Sequence, residues 1–437
     1  MLRQKLNTQP VKGFRDFTPE DWTIQQYIFD TWKRVCELYA YKEYNGPVLE
    51  YSQIYNKSGD DVGTSGKELY KFTDKGDREL ALRPEMTPTV GRMIAEYANS
   101  YSKPIRWFSI AQFFRAEKPQ RGRGREFFQL NADIFGDDSI NSDFEILNLA
   151  IDIMKAFKAN EEMFEVRINN RKFTDFYFEN ILGIKDPKIK STLIKLIDAS
   201  SKKPEGWLES EVEEVGELYK NFSKPDLSDS LYSGIRKYLS LSIDDLSQYS
   251  DSKGAGEIIT LFKLLKKLDL EKYCIFDTSM SRGFDYYTGM VFEVFDRDVS
   301  NNRSMFGGGR YDDLLDIFGK PKIPAVGFAP GDITTGLFLK SWGLLKNVDM
   351  NLSADYYIPL MFAGAFDIVS KVAKKLRDEG KKVQIGLDIE TISKALSFAS
   401  KNLIKNVVIL GETELKDKKY KIKDMSTGKE EEKSLFT

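Results

Sequence analysis

Apolar positions near the N-terminus recur at helical spacing, with Ile28, Trp32, Val35, Cys36 and Tyr39 on one face. Thr18-Pro19-Glu20-Asp21 ahead of them reads as the helix start: a hydroxyl N-cap, proline in the first turn and acids against the positive end of the dipole. Asn45-Gly46-Pro47 closes the segment. From Leu69 to Arg83 and from Arg106 to Gly136 the pattern becomes β-rich, broken by charged turns such as Thr73-Asp74-Lys75-Gly76-Asp77, and predicts an antiparallel sheet. Residues 173–272 return to helical spacing without a chemical motif, which predicts an inserted helical module. A second β region runs from Tyr273 to about Phe295, with Gly307-Gly308-Gly309 beyond it and a linker from Ser341 to Asp355.

The last stretch alternates. Tyr356 to Phe362, Lys382 to Leu387 and Asn406 to Leu410 are short apolar runs separated by two helical patterns, Ile368/Val369/Val372/Leu376 and Ile392/Leu396/Ala399/Leu403. Such alternation predicts a small α/β domain. The expected organisation is a mixed α/β and α+β chain: an antiparallel-sheet core in two parts, 1–172 and 273–344, a helical insertion at 173–272, and an α/β domain at 345–437.

Composition narrows the chemistry. With 437 residues, 41% of them hydrophobic and 30% charged, the chain is long enough for two or three domains. Lys plus Arg number 65 against 67 Asp plus Glu, so any nucleic-acid partner must meet a local basic surface. Cys36 and Cys274 are too few for a disulfide framework or a thiolate metal site, which fits a reducing compartment. No long apolar run and no leader pattern at Met1 to Asp16 argue against a membrane partner and for a cytoplasmic protein. The chain contains no histidine, which excludes catalytic triads, imidazole bases and His-ligated metals. Its chemistry must run on carboxylates, Arg, Lys, Tyr and backbone groups; no set of protein side chains is assigned to a metal.

Three segments could carry such chemistry. Phe114 to Gln129 puts Arg115, Arg121, Arg123 and Arg125 between two strand-like runs, with Gly122 and Gly124 at the tip. It reads as an anion-binding loop, since guanidinium forks match phosphate oxygens, or as a solvated hairpin tip. Ser281 to Gly289 places Arg282 and the pair Tyr286-Tyr287 beside glycines; adjacent strand residues face opposite ways, so one tyrosine can face a cavity while the other packs elsewhere. Leu82-Arg83-Pro84-Glu85-Met86-Thr87-Pro88 puts a carboxylate and a hydroxyl in a proline-stiffened loop, either a ligand-amine site or a turn.

Together these segments resemble histidyl-tRNA synthetase, a class II aminoacyl-tRNA synthetase, from Val11-Lys12-Gly13-Phe14-Arg15-Asp16-Phe17 to near the C-terminus. LRPEMTPT at 82–89, the motif 2 form FRAEKPQRGRGREFFQ at 114–129, RGFDYYTG at 282–289 and GGGRYDDLL at 307–315 carry the likeness. The resemblance implies a class II catalytic core, a C-terminal anticodon-binding domain, ATP with Mg2+, L-histidine and histidine tRNA as partners, and a homodimer with Pro47 in the motif 1 region. It places Arg115 and Arg282 at the α-phosphate. Glu117, Phe127, Arg125 and Arg310 join Arg115 on ATP, with Glu117 on the adenine amino group and Phe127 stacked on adenine. Glu85, Met86, Thr87, Gln129, Asp133, Tyr286 and Tyr287 join Arg115 and Arg282 around histidine, with Asp133 and Tyr287 on the imidazole nitrogens.

One position departs from the pattern. The family's motif 3 bears an ATP-holding arginine, whereas Gly327 to Thr335 has none and Thr334 stands at its place. Compensation by Arg115, Arg123, Arg125, Arg310 and magnesium is expected. The alternative is a catalytically inactive paralogue that regulates ATP phosphoribosyltransferase; that paralogue typically lacks the anticodon domain and degrades these signatures, so the enzyme reading is preferred.

Overall fold

In the computed structural model, the described residues are 7–55, 68–200, 203–218, 227–280, 287–301, 304–350 and 352–435. The chain divides into two compact units, Met1–Val348 and Asp349–Thr437. The first opens with α1 (Pro19–Leu38), which starts at the Thr18 N-cap expected from sequence; the structure adds a capping box, in which the Thr18 side chain accepts from Asp21 N–H and the Asp21 carboxylate accepts in return. The strands that follow are β1 (Lys42–Glu43), β2 (Leu49–Tyr51), β3 (Lys71–Thr73), β4 (Glu79–Leu82), β5 (Ile105–Phe114) and β6 (Glu126–Phe135), with α2 (Thr87–Tyr97) between β4 and β5. Then come α3 (Ile140–Ala156), β7 (Phe164–Asn170), the helices α4 (Arg171–Phe176), α5 (Pro187–Ser200), α6 (Trp207–Leu218), α7 (Leu227–Leu239) and α8 (Lys253–Lys267), and the strands β8 (Cys274–Phe276), β9 (Met290–Asp296), β10 (Ser304–Arg310) and β11 (Ala325–Phe328), closed by α9 (Asp332–Ser341).

Among the described residues the main sheet has the order β1-β5-β6-β11-β10-β9-β7-β8. Its six central strands are antiparallel, and the short outer strands β1 and β8 pair in parallel with β5 and β7. The period-2 pattern of β6 divides its faces. Leu130, Ala132 and Ile134 join the large apolar core with Ile28, Trp32, Val35 and the buried face of α3, while Gln129, Asn131 and Asp133 point to the other side. The helices of 171–267 share that core: Phe173, Tyr238, Tyr249 and Ile258 pack in the same cluster as Ile168 and Phe292 of the sheet. The Gly307-Gly308-Gly309 cluster, expected only as a feature beyond the second β region, lies inside β10, where side chains would collide with the neighbouring strands.

The second unit carries β12 (Tyr356–Leu360), α10 (Phe366–Asp378), β13 (Val383–Ile389), α11 (Ile392–Lys401), β14 (Asn406–Ile409), α12 (Glu412–Lys416), β15 (Lys419–Asp424) and β16 (Glu430–Ser434). Its sheet order is β13-β12-β14-β15-β16, parallel over the first three strands and antiparallel over the last two. Val369, Val372 and Leu376 of α10 close one apolar cluster and Ala395 and Ala399 of α11 another. Leu403, read as the end of the second helical pattern, lies past the helix with φ 54° and is 78% exposed.

Candidate active site

The first unit holds a cavity of about 900 Å³ on the face of the sheet opposite its helices, within the range of small-molecule sites. Its floor is β6, β10 and β11; its rim is the arginine-rich loop between β5 and β6 and the start of α2.

Elementary packing explains the floor. Gly327 pairs with Asp133 across the ladder, and a β-carbon there would collide with Asp133 Oδ1 and lie 2.8 Å from Ala132 O, so only glycine leaves the carboxylate its place. Asp133 is 6% exposed and accepts a hydrogen bond from the Tyr311 hydroxyl. Burial pushes its pKa up to about 7 from an ordinary 3.8, and the Tyr311 bond pulls the other way. Gln129 donates to Ala329 O at 3.2 Å.

The loop is built as a small hairpin. Gln120 and Arg123 exchange backbone hydrogen bonds of 3.1 and 2.9 Å, and Gly122 turns the tip at φ 80°. Arg115 donates Nε to Pro84 O at 3.0 Å and lies over the Phe127 ring at 4.9 Å, a cation–π contact that fixes its fork at the cavity wall. Arg123 pairs with Glu117 at 3.3 Å. The Val11 to Phe17 segment clasps the base: Gly13 O accepts from Arg125 N–H at 2.8 Å, and Gly13 has φ 93° with Arg125 Cγ and Pro119 Cγ each 2.8 Å from where its β-carbon would be.

Glu85, Thr87, Arg115, Glu117, Phe127, Gln129, Asp133 and Tyr287 all line this one cavity. Arg282 and Tyr286 lie outside the described residues. Three expectations require correction. Met86 is fully buried in the apolar cluster of Val90, Trp107 and Phe113 beneath the rim, because it precedes α2 on the inward side. Arg125 turns away from the cavity and donates to Glu117 O at 3.0 Å and Lys12 O at 3.4 Å, so it shapes the loop. Arg310 is 2% exposed and saturated by Asp143, Ser142 and the Asp137 and Ser139 carbonyls, which leaves its guanidinium nothing to offer ATP.

The structure also adds residues that motif reading passed over. Asn131 and Tyr311 face the same floor, and polar residues at every second place of an otherwise apolar strand were the available signal for Gln129, Asn131 and Asp133 together. Asp332, at the start of α9, accepts from Arg15 at 2.7 Å and from Phe128 N–H at 2.9 Å; burial raises its pKa and the Arg15 charge opposes the shift. Thr334 donates to Met305 O at 2.9 Å, and a β-carbon on Gly122 would lie 3.7 Å from its methyl, so the loop tip covers the motif 3 position. Arg121, Arg167 and Asp277 complete much of the charged wall; Arg167 is paired with Glu165 and Asp277. Asn169, at the end of β7, donates to Met280 O at 2.9 Å, to Thr278 O at 3.3 Å and to the Tyr238 hydroxyl of α7 at 3.4 Å.

Comparison with known proteins agrees with this geometry. A histidyl-tRNA synthetase family model matches residues 13–331 and an anticodon-binding domain model matches 356–435. The chain is 38% identical over 430 residues to the histidine–tRNA ligase of Leptospira biflexa, covering 98% of this chain and 95% of that one. It is 36% identical over 423 residues to the ligase of Opitutus terrae, covering 96% and 94%. The crystal structure of histidyl-tRNA synthetase from Nostoc sp. PCC 7120 has a TM-score of 0.78 at 24% identity, over 98% of this chain and 97% of that one, a likeness of fold. Among the described residues no helix is long and apolar enough to cross a membrane. With a family model across most of its length and relatives of this identity end to end, the chain belongs to the histidyl-tRNA synthetase family and is an ATP-dependent histidine–tRNA ligase.

Proposed function

We propose that this cavity is where L-histidine and ATP are condensed and where the histidyl group is passed to the 3′ end of histidine tRNA. A carboxylate oxygen of histidine attacks the α-phosphorus, the bond to the β-phosphate breaks, and pyrophosphate leaves. The nucleophile is already ionised, so no general base is needed, in keeping with a chain that has no histidine. What the step needs is positioning and positive charge at the α-phosphate. The observation that carries the reading is Arg115, held by Pro84 O and the Phe127 ring so that its fork borders the cavity that Glu117, Glu85, Thr87, Gln129, Asp133 and Tyr287 also line.

In this reading Arg115, with Arg282, neutralises the α-phosphate; Glu117 and Phe127 hold adenine. Glu85, Thr87 and Gln129 take the α-amino group, and Asp133, Tyr286 and Tyr287 surround the imidazole. The loop-tip residues Arg121 and Arg123 compensate for the arginine that Thr334 replaces. Among the described residues no three acidic or thiol side chains are grouped to hold a metal, so Mg2+ is assigned to the oxygens of the triphosphate itself. The active form is proposed to be a cytoplasmic homodimer joined through the first unit, with the second unit reading the anticodon. The regulatory reading is set aside because the match to ligases includes the anticodon-binding domain. Histidine-dependent exchange of pyrophosphate into ATP tests the proposal: the full chain should catalyse it and lose it to a magnesium chelator. No exchange at any magnesium concentration would overturn it.

A further inference from the structure

We propose that Arg15 is a positioning residue for the nucleotide end of the cavity: its ion pair with Asp332 locks together the two chain segments that hold the free edge of β6 behind Phe127 and the arginine-rich loop. The inference rests on the reading of that end of the cavity as the ATP site.

β11 pairs with β6 only from Ala132 to Phe135, so among the described residues the first half of β6 has no strand on that side. Backbone N–H groups of an antiparallel strand leave it on alternate sides, and those of Glu126, Phe128 and Leu130 fall on the open edge. Each finds a different acceptor. Glu126 N–H meets Gly13 O at 3.4 Å, the carbonyl that also takes Arg125 N–H at 2.8 Å. Phe128 N–H meets Asp332 Oδ1 at 2.9 Å, and Leu130 N–H meets Pro330 O at 3.0 Å. The edge is thus completed by two pieces far apart in sequence, residues 11–17 and the start of α9.

Arg15 joins them. A terminal guanidinium nitrogen lies 2.7 Å from Asp332 Oδ2, the second oxygen of the carboxylate whose first holds Phe128. The Asp332 side chain has no exposure and that of Arg15 is 33% exposed, so breaking the pair leaves a buried charge uncompensated, unlike the loss of a surface pair. The Phe17 ring lies under the guanidinium at 4.9 Å and packs edge-on against Phe128 with centroids 6.3 Å apart. Phe127 and Gln129, on either side of Phe128, line the cavity, and Arg125 at the base of the loop is pinned by the Gly13 and Lys12 carbonyls. A shift of the 11–17 segment therefore shifts the loop and the wall offered to adenine, and a misplacement of about 1 Å can cost two orders of magnitude in rate. Gln129 has its own tie to Ala329 O, so the histidine side of the strand is held independently.

The test is pyrophosphate exchange on the full chain, with both Michaelis constants measured. Arg15→Met should raise the KM for ATP roughly 10-fold and move the KM for histidine by less than about 2-fold. Arg15→Lys should recover most of the loss, because the pair is made through one nitrogen and needs no fork. In the double variant Arg15→Met with Asp332→Asn, the asparagine oxygen still accepts from Phe128 and no buried charge is stranded; urea stability should return while the KM for ATP stays high. If Arg15→Met does not fold, that double variant carries the test. A normal KM for ATP in Arg15→Met, an equal rise in both constants, or a normal KM for ATP in the double variant overturns the proposal. Glu117→Ala separates the two levels: if it too leaves the KM for ATP unmoved, the assignment of the ATP site has failed, and not merely the role of Arg15.

Discussion

Replacing Arg310 by methionine isolates what a buried cation does in this fold. The Arg310 guanidinium gives Nε to Asp143 at 2.9 Å, one terminal nitrogen to Asp137 O at 3.0 Å, and the other to Ser142 Oγ at 2.7 Å and Ser139 O at 3.2 Å. Methionine keeps most of the stem, so the loss is chiefly electrostatic. Removing one partner of a buried ion pair costs about 3–5 kcal/mol, because the other charge is left uncompensated. That is a large part of the 5–15 kcal/mol that typically separates folded from unfolded domains. Burial raises the Asp143 pKa to about 6 from 3.8 even though the Arg310 charge lowers it, and without the arginine it must rise further. The sign follows from linkage. A carboxyl whose folded pKa exceeds its unfolded one costs nothing below the unfolded value and costs fully above the folded one. The stability deficit of the variant should therefore be largest well above its raised pKa and shrink as pH falls through it, since a protonated Asp143 needs no cation. All five tryptophans precede residue 349, so their fluorescence during urea unfolding reports the first unit alone. Pyrophosphate exchange on the same preparation should give a near-normal KM for ATP. An unchanged unfolding midpoint with a many-fold higher KM for ATP would refute the reasoning and return Arg310 to the nucleotide.

Asp133→Asn should lose histidine selectivity yet gain stability above about pH 7, because the buried carboxylate, raised to about 7, is a cost fully present above that pH and absent below its unfolded value of 3.8; urea midpoints of variant and parent that run parallel from pH 5 to 8 would contradict this. Thr334→Arg should leave exchange unchanged or lower it, since Thr334 already donates to Met305 O and the Gly122 tip covers its methyl; a several-fold rise would mean that Arg121 and Arg123 do not compensate. Truncation after Val348 should spare exchange and weaken tRNA charging, the remaining charging falling as salt rises; a truncated chain that charges as well as the full one would remove the anticodon role from 349–437.

Local signals carried much of the fold. The Thr18 N-cap of α1 and the β-rich pattern of β5 and β6 are short-range patterns that the chain obeys. α3 and β7 went unread. α3 has a legible helical period, since Asn141, Glu145, Asn148, Asp152 and Lys155 form a polar stripe opposite the buried Ile146, Leu147, Leu149, Ala150, Ile151, Ile153 and Met154, and that signal was passed over. β7 is a short strand whose role in the sheet depends on β9, far along the chain. In the last hairpin β15 alternates, with Tyr420 and Ile422 buried between lysines, whereas β16 has no apolar residue and is held to it by cross-strand pairs such as Lys419 with Glu432 and Lys423 with Glu430. At the site, motif segments converged on one cavity, but an arginine in a motif does not declare its partner. Arg310 pairs with Asp143, 167 positions away, and Arg125 with the Lys12 and Glu117 carbonyls. Asn131 belongs to no motif and is marked only by its place on the cavity floor between Gln129 and Asp133.

The Asn169 knot has a practical consequence for anyone wishing to shrink this enzyme. Its amide ties Met280, the last described residue before the Arg282 segment, to the Tyr238 hydroxyl of α7, which in turn meets Thr174 Oγ1 at 2.8 Å, while Thr278 Oγ1 donates back to Tyr238 O at 2.8 Å. The helices of 171–267 are thus not an ornament that can be excised and bridged with a short linker. Their removal would strip the Asn169 amide of two partners, the Thr174 and Tyr238 hydroxyls, and break up the apolar cluster that Phe173 and Ile258 share with Ile168 and Phe292. A minimal version would have to rebuild that wall and supply a hydroxyl where Tyr238 stands, or leave Met280 less firmly held.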